Sequence, residues 1–233
     1  RSLGDSSMTD KKPIILFKLP SRGRPERFFK ALDSIVLNLA CDYAYHISCT
    51  LDEDDTTMNN DEVVSKIAAY KNTSIEWGAS KSKIDAINRS MPEVPWDILV
   101  VCSDDIYFNV YGFDELIRNE MSQHFADNDG FLHFHEKDSG AALCVMSVMG
   151  KKYYDRFGYI YHPDFFSLFA DNEATEVAKI LGKYIYINYS IMEHLNPAYG
   201  YIERDEMFDE QQQVGWTIDQ QTYNRRKEKN FDL

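Results

Sequence analysis

Two hydrophobic rhythms alternate along this chain. Ile14-Ile15-Leu16-Phe17-Lys18-Leu19 is an almost continuous apolar run, the mark of a strand buried on both faces. Phe28, Phe29, Leu32, Ile35, Val36 and Leu39 then recur at helical spacing, with Pro25 suited to the first turn of that helix. The alternation repeats. Tyr45 to Leu51 predicts a second strand and Asn60 to Tyr70 a helix with Asp61 and Glu62 at its positive end. Ser74 to Trp77 predicts a third strand, followed by a helix through Ile84, Ile87 and Met91. Asp97-Ile98-Leu99-Val100-Val101-Cys102 is the most apolar run and predicts a central strand. Strand and helix in strict alternation predict a mostly parallel, Rossmann-like sheet flanked by helices.

Beyond Asp105 the pattern loosens. Helices are predicted over Gly112 to Phe125, Lys151 to Phe157 and Ala174 to Leu181, the last stopping at Gly182. Strands are predicted over Gly130 to His135, Ala141 to Met149 and Tyr184 to Ser190. Glu203 to Leu233 is highly polar, with a helix predicted over Thr217 to Lys229. The chain therefore divides into Arg1 to Ser7, which reads as a cloning scar before Met8, a domain over residues 8–200, and a polar C-terminal extension over 201–233 packed on that domain or trailing from it.

The polar residues that end the strands carry the chemistry. The first strand runs into Pro20-Ser21-Arg22-Gly23-Arg24-Pro25, a tight loop before a helix N-terminus, where Arg22 and Arg24 add charge to a natural anion site. The second ends on Asp52-Glu53-Asp54-Asp55, and the third on a small-residue loop carrying Lys81 and Lys83. The central strand stops on Ser103-Asp104-Asp105, two adjacent carboxylates that are costly at the end of a buried strand unless a positive group meets them. Ligands of open α/β sheets bind outside these strand ends. Asp171 reads as a helix N-cap with Glu173 in the first turn. His133 and His135 would share one strand face, and with no third soft ligand near in sequence they are read as packing or substrate contacts rather than zinc ligands.

Composition narrows the partners. Lys and Arg number 25 against 38 Asp and Glu, a net charge of −13, which disfavours broad binding to nucleic acid or anionic membrane. The four cysteines show no CxxC pairing and read as buried thiols of a reducing compartment, so a cytoplasmic location is expected. No apolar run approaches the length of a transmembrane helix.

Taken in order, Leu19 to Pro25, Asp52 to Asp55, Ser103-Asp104-Asp105, Asp171-Asn172-Glu173 and His194 resemble the motifs of GT-A fold glycosyltransferases of the family-2-like group, over roughly Ile14 to Pro197. The resemblance implies a nucleotide-sugar glycosyltransferase, with UDP as the expected nucleotide, a hydroxyl acceptor and inversion at the anomeric carbon. It places Pro20, Arg22 and Arg24 near the base and phosphates, Asp52 and Asp54 at the base or ribose, and Lys81 and Lys83 near the diphosphate or sugar. Serine replaces the first acid of the family's DxD motif at Ser103. That leaves Asp105 as the main metal ligand and Asp104 for the ribose or donor sugar, with His194 a further ligand favouring Mn²⁺ over Mg²⁺. The general base is expected at Asp171, with Glu173 second. A nucleic-acid acceptor is disfavoured by the acidic balance. Two rivals share the sheet: a sugar-nucleotide pyrophosphorylase, for which the glycine-rich opening loop is missing, and a non-catalytic nucleotide-sugar binding module.

Overall fold

The computed structural model describes residues 11–233, so the assignment of Arg1 to Ser7 lies outside the described residues. Seven strands form one sheet: β1 (Ile15–Pro20), β2 (Tyr45–Asp52), β3 (Thr73–Gly78), β4 (Ile98–Val101), β6 (Phe131–Phe134), β7 (Val148–Gly150) and β8 (Tyr184–Ile187). Their order is β3-β2-β1-β4-β7-β6-β8. Pairing is parallel from β3 to β4 and between β6 and β8, while β7 runs antiparallel to both of its neighbours. Two short strands, β5 (Ile106–Phe108) and β9 (Met192–His194), pair antiparallel apart from this sheet, placing His194 opposite Ile106.

Alternate residues of the strands feed two cores. Ile15, Phe17, Leu19, Ile98 and Val100 face α1 (Pro25–Asn38) and α4 (Phe113–His124) through Phe28, Leu32, Ile35 and Phe113. Leu16, Leu99, Val101 and Phe131 face the other way, against α3 (Lys83–Asn88), α5 (Lys151–Asp155) and α6 (Ala170–Ile180). Helix α2 (Asp61–Ala68) starts at an Asn60 cap and contributes Val63 and Ile67 to the first core. All four cysteines are buried free thiols. Among the described residues no helix is long and apolar enough to cross a membrane.

Three predicted elements change. Of the Ala141 to Met149 run only Val148 and Met149 fall in a strand, β7, which ends at Gly150. The residues before it pass along the end of β4, where Val101 N–H donates to the Ser147 carbonyl, and Leu143 and Val145 line a cavity instead of joining the sheet. Helix α6 begins four residues early, with Phe169 at the cap position in a left-handed φ of 64°, so Asp171 lies inside the first turn and not at the cap. The C-terminal extension is not a trailing segment. Helices α7 (Glu206–Val214) and α8 (Gln220–Glu228) are joined by a π turn over Gly215–Asp219 into one helical arm laid on the domain. His133 and His135 pack as expected, their Nδ1 atoms 2.7 Å from the hydroxyls of Tyr184 and Tyr186 respectively.

Lys18, in the middle of β1, is wholly buried, and its ammonium donates to Thr50 Oγ1 (2.6 Å) and the carbonyls of Arg89 (2.6 Å) and Ser90 (3.1 Å). Burial pushes its pKa down to about 8, with Glu76 acting weakly the other way. Between pH 8 and the ordinary lysine value of 10.5, the unfolded chain holds a proton that the folded chain has lost. Folding therefore becomes more favourable as pH rises through that window. Relative to Lys18→Met, the wild type is expected to gain roughly 3 kcal/mol of stability across it, measured by denaturant titration of both proteins at several pH values. A pH-independent difference between the two would show that Lys18 keeps an ordinary pKa.

Candidate active site

The sheet order reverses between β1 and β4, and the crevice beyond their carboxyl ends is the place where open α/β sheets bind ligands. A cavity of about 720 Å³ lies there. Its floor is the Pro20 to Arg24 loop, Asp52 at the end of β2, and Cys102 to Asp105 after β4. The α3 start with Lys81 and Lys83 forms one wall, and Asp171 with His194 another. The helical arm covers the remainder through Met207, Phe208, Gln211 and Val214.

The two adjacent carboxylates meet different partners. Asp104 is buried, accepts from Ser21 Oγ at 2.8 Å and sits 3.5 Å from Arg24 Nη1. Burial raises its pKa, helped by the like charge of Asp105 and opposed by Arg24. Burial pushes Asp105 the same way, but His194, Lys83 and the Ser103 hydroxyl together outweigh it and hold Asp105 well below the usual carboxylate range. His194 Nε2 is 3.4 Å from Asp105 Oδ2, and the Leu195 N–H donates to the Asp105 carbonyl at 2.8 Å, so the β5–β9 ribbon fixes this pair. Asp104 is thus pushed up and Asp105 held down, an unequal pair of the kind that clusters at functional sites.

Cations gather around these carboxylates and on the neighbouring loops. Arg24 is held by Asp205 at the start of α7 through two hydrogen bonds of 2.6 and 2.7 Å. Arg22 bridges Asp52 (2.9 Å) and the exposed Asp54 (2.6 Å). Asp52 also accepts from Ser80 Oγ (2.5 Å) and Arg89 Nη2 (2.9 Å). Lys81, on the loop leading into α3, and Lys83, the first residue of that helix, are exposed. Arg89 and Asp205 were not singled out in the sequence. The sequence carries no local signal for Arg89, because the helical spacing runs on through Met91, whereas α3 ends at Asn88 and leaves Arg89 at its C-cap.

Asp171 enters the cavity from the first turn of α6, where its Oδ1 accepts the neighbouring Asn172 N–H at 3.0 Å and no other hydrogen bond among the described residues. Burial raises its pKa, against the opposing pull of Lys83. Of the sequence-derived site residues, Pro20, Arg22, Arg24, Asp52, Lys81, Lys83, Asp104, Asp105, Asp171 and His194 all line this one cavity. Asp54 does not; it stands outside, paired with Arg22. Glu173 does not either. Its side chain turns away into a buried ion pair with Arg226 of α8, Nε to Oε2 at 2.8 Å and Nη2 to Oε1 at 2.9 Å. Two residues separate Asp171 from Glu173, roughly 200° around the helix, which puts Glu173 on a different face of α6.

Among the described residues no cluster of three His, Cys, Asp or Glu side chains could hold a metal by itself. Asp105 with His194 supplies one hard oxygen and one imidazole nitrogen, a donor pair that suits Mn²⁺ provided a ligand contributes the other positions.

This seven-stranded, mostly parallel sheet flanked by helices matches that of GT-A glycosyltransferases of known structure. Among solved structures it is similar to the mannosyltransferase PcManGT from Pyrobaculum calidifontis in complex with GDP-Man and Mn²⁺ (TM-score 0.63, 12% identity, covering 82% of this chain and 59% of that one). It is also similar to S. aureus TarS 1–349 in complex with UDP-GlcNAc (TM-score 0.65, 12% identity, covering 83% of this chain and 60% of that one). The chain thus spans about three fifths of the length of these two structures. No family model and no curated protein matches the sequence.

Proposed function

We propose that this chain is a glycosyltransferase moving a sugar from a nucleoside-diphosphate sugar, with UDP the favoured nucleotide, to a hydroxyl acceptor with inversion. The observation that carries this reading is the shared cavity at the switch point, where an ionised Asp105 beside His194, a bank of cations and a separate carboxylate on α6 all face one space. Solved neighbours of the same fold hold GDP-Man with Mn²⁺ and UDP-GlcNAc.

In this reading Arg24 and Lys83 attract the diphosphate, and Arg22, held by Asp52, lies toward the nucleotide end. Asp104, tied to Ser21 and Arg24, orients the ribose or donor sugar. Asp105 and His194 would hold a divalent ion, which when bound neutralises charge on the departing diphosphate as a Lewis acid. Asp171 takes the proton of the acceptor hydroxyl as the new bond to the anomeric carbon forms and the bond to the diphosphate breaks. Its raised pKa makes it a stronger base than an ordinary aspartate.

A thermal-shift panel of UDP, GDP, uridine and UDP-sugars, each with and without Mn²⁺, tests the reading. Stabilisation by the nucleotide sugars, larger with the ion, is expected, and transfer releases UDP. Formation of UTP and sugar 1-phosphate from a UDP-sugar and added pyrophosphate would point to a pyrophosphorylase, and absence of any nucleotide-dependent shift would end the reading. In the same assay Asp105→Ala is expected to weaken Mn²⁺-linked binding by at least about 10–100-fold, the loss typical of even the outer groups around a metal. EDTA on the wild type should reproduce it. Equal Mn²⁺-linked shifts in wild type and variant would remove Asp105 from the ion's ligands.

A further inference from the structure

We propose that the π turn of the C-terminal arm builds the acceptor subsite, with Trp216 as a platform for a neutral sugar ring. This rests on the glycosyltransferase reading above and names the class of its acceptor.

Trp216 lines the cavity yet is 59% exposed, and Phe166 beside the same opening is 44% exposed. Large apolar side chains at a cavity mouth are informative when the backbone is held to keep them there. Here it is held in two ways. Asp219, at the end of the π turn, is completely buried, and its carboxylate accepts the backbone N–H groups of Phe166, Ser167 and Leu168 at 2.8, 2.8 and 2.9 Å. One carboxylate thus fixes both the turn that carries Trp216 and the loop that carries Phe166. Gly215 packs so closely on that loop that a Cβ there would lie 2.3 Å from Leu168 Cγ. The indole is then set by Phe169, edge-on with ring centroids 5.3 Å apart, and by Nε1–H donating to Gln212 Oε1 at 3.2 Å. π turns inside helices are frequent at functional sites, and this one places Trp216 in the cavity lining.

Charge selects the occupant. The arginines and lysines of the cavity come from the β1 loop and the start of α3, whereas the charged residues lining it from α6 and α7 are Asp171 and Glu210, both acidic. Gln211, Gln212 and Asn172 add amides. An aromatic face among amides and carboxylates suits an uncharged polyhydroxylated ring, whose apolar face stacks while its hydroxyls hydrogen-bond. A phosphate-rich acceptor would meet like charge.

The test measures sugar transfer from UDP-sugars by the wild type, Trp216→Ala and Trp216→Phe. Three acceptor sets are offered: neutral methyl glycosides and disaccharides, glycerol-phosphate oligomers, and a single-stranded oligonucleotide. Donor Kd is measured in parallel. Transfer to one or more neutral glycosides is expected, with KM raised about 10-fold or more by Trp216→Ala, largely rescued by Trp216→Phe, and donor Kd unchanged. Transfer restricted to the phosphate-bearing acceptors, no transfer to any neutral glycoside, or an unchanged KM in Trp216→Ala would overturn the proposal. A wild type that binds UDP-sugars but fails these tests sinks only the acceptor assignment. One that binds no nucleotide sugar sinks the glycosyltransferase reading itself.

Discussion

Asp171→Asn is expected to lower kcat for transfer by about 10²–10⁴-fold while leaving donor Kd within a few-fold of the wild type. Asn preserves the shape of the side chain and its acceptor for the Asn172 N–H, and removes only the basic oxygen. Helix capping does not confuse the result, because Phe169 occupies the cap and Asp171 stands inside the first turn. The pH dependence gives a second readout. Burial raises the Asp171 pKa from its ordinary 3.8, so the basic form disappears as pH falls through a point above that value, and the acid limb of kcat should lie there and vanish in the variant. The same shift acts on stability with a definite sign. The folded protein binds this proton more tightly than the unfolded chain, so Asp171 costs stability as pH rises from 3.8 through its raised pKa. Asp171→Asn should therefore melt no lower than the wild type at neutral pH. A kcat within a few-fold of wild type would pass the role to another cavity carboxylate, with Glu210 on the arm as the next to test; Glu173 points elsewhere.

The first four strands and the polar groups at their ends were legible because each obeys a local rule. A strand buried on both faces is a continuous apolar run, and the sheet carries its terminal residues to one edge whatever else the chain does. Asp52, Asp104 and Asp105 could be placed at that edge from sequence alone for this reason. The pairing of those groups was not legible. Whether Asp52 is a free acceptor or an anchor for Arg22 and Arg89 depends on a loop 37 residues further on, seen only once α3 ends at Asn88 and the chain doubles back. β9 is three residues long, too short for any periodicity, yet it sets His194 against Asp105. Asp171 and Glu173 look interchangeable in an acidic first turn, and what separates them is a partner 53 residues away. The polar arm shows the same limit: Asp219 is one acid among many in the sequence, and only the folded chain reveals it as a buried anchor.

Arg226→Ala is expected to destabilise the protein by about 3–5 kcal/mol, far more than loss of a surface ion pair. Arg226 and Glu173 are 6% and 4% exposed, and the guanidinium meets the carboxylate through both Nε and Nη2. The same guanidinium donates to Asp232 at 2.9 Å and to the Phe231 carbonyl at 3.3 Å, tying down the end of the arm. Truncating it leaves Glu173 buried without a counter-charge, and that uncompensated carboxylate dominates the cost. At about 2–4 °C per kcal/mol for a chain of this size, Tm should fall by roughly 10 °C. Replacing both partners by apolar residues, Glu173→Leu with Arg226→Met, should recover much of the loss, because no orphaned charge remains. The cycle of single and double variants, read by chemical denaturation, isolates the coupling between them. Since the arm also roofs the cavity, the single variant should weaken donor binding through a looser α7, whereas the apolar pair should restore it. A loss below about 1 kcal/mol for Arg226→Ala would mean that the pair behaves like an exposed bridge, and that the arm is held to the domain by Asp219 and by Asp205 with Arg24 instead.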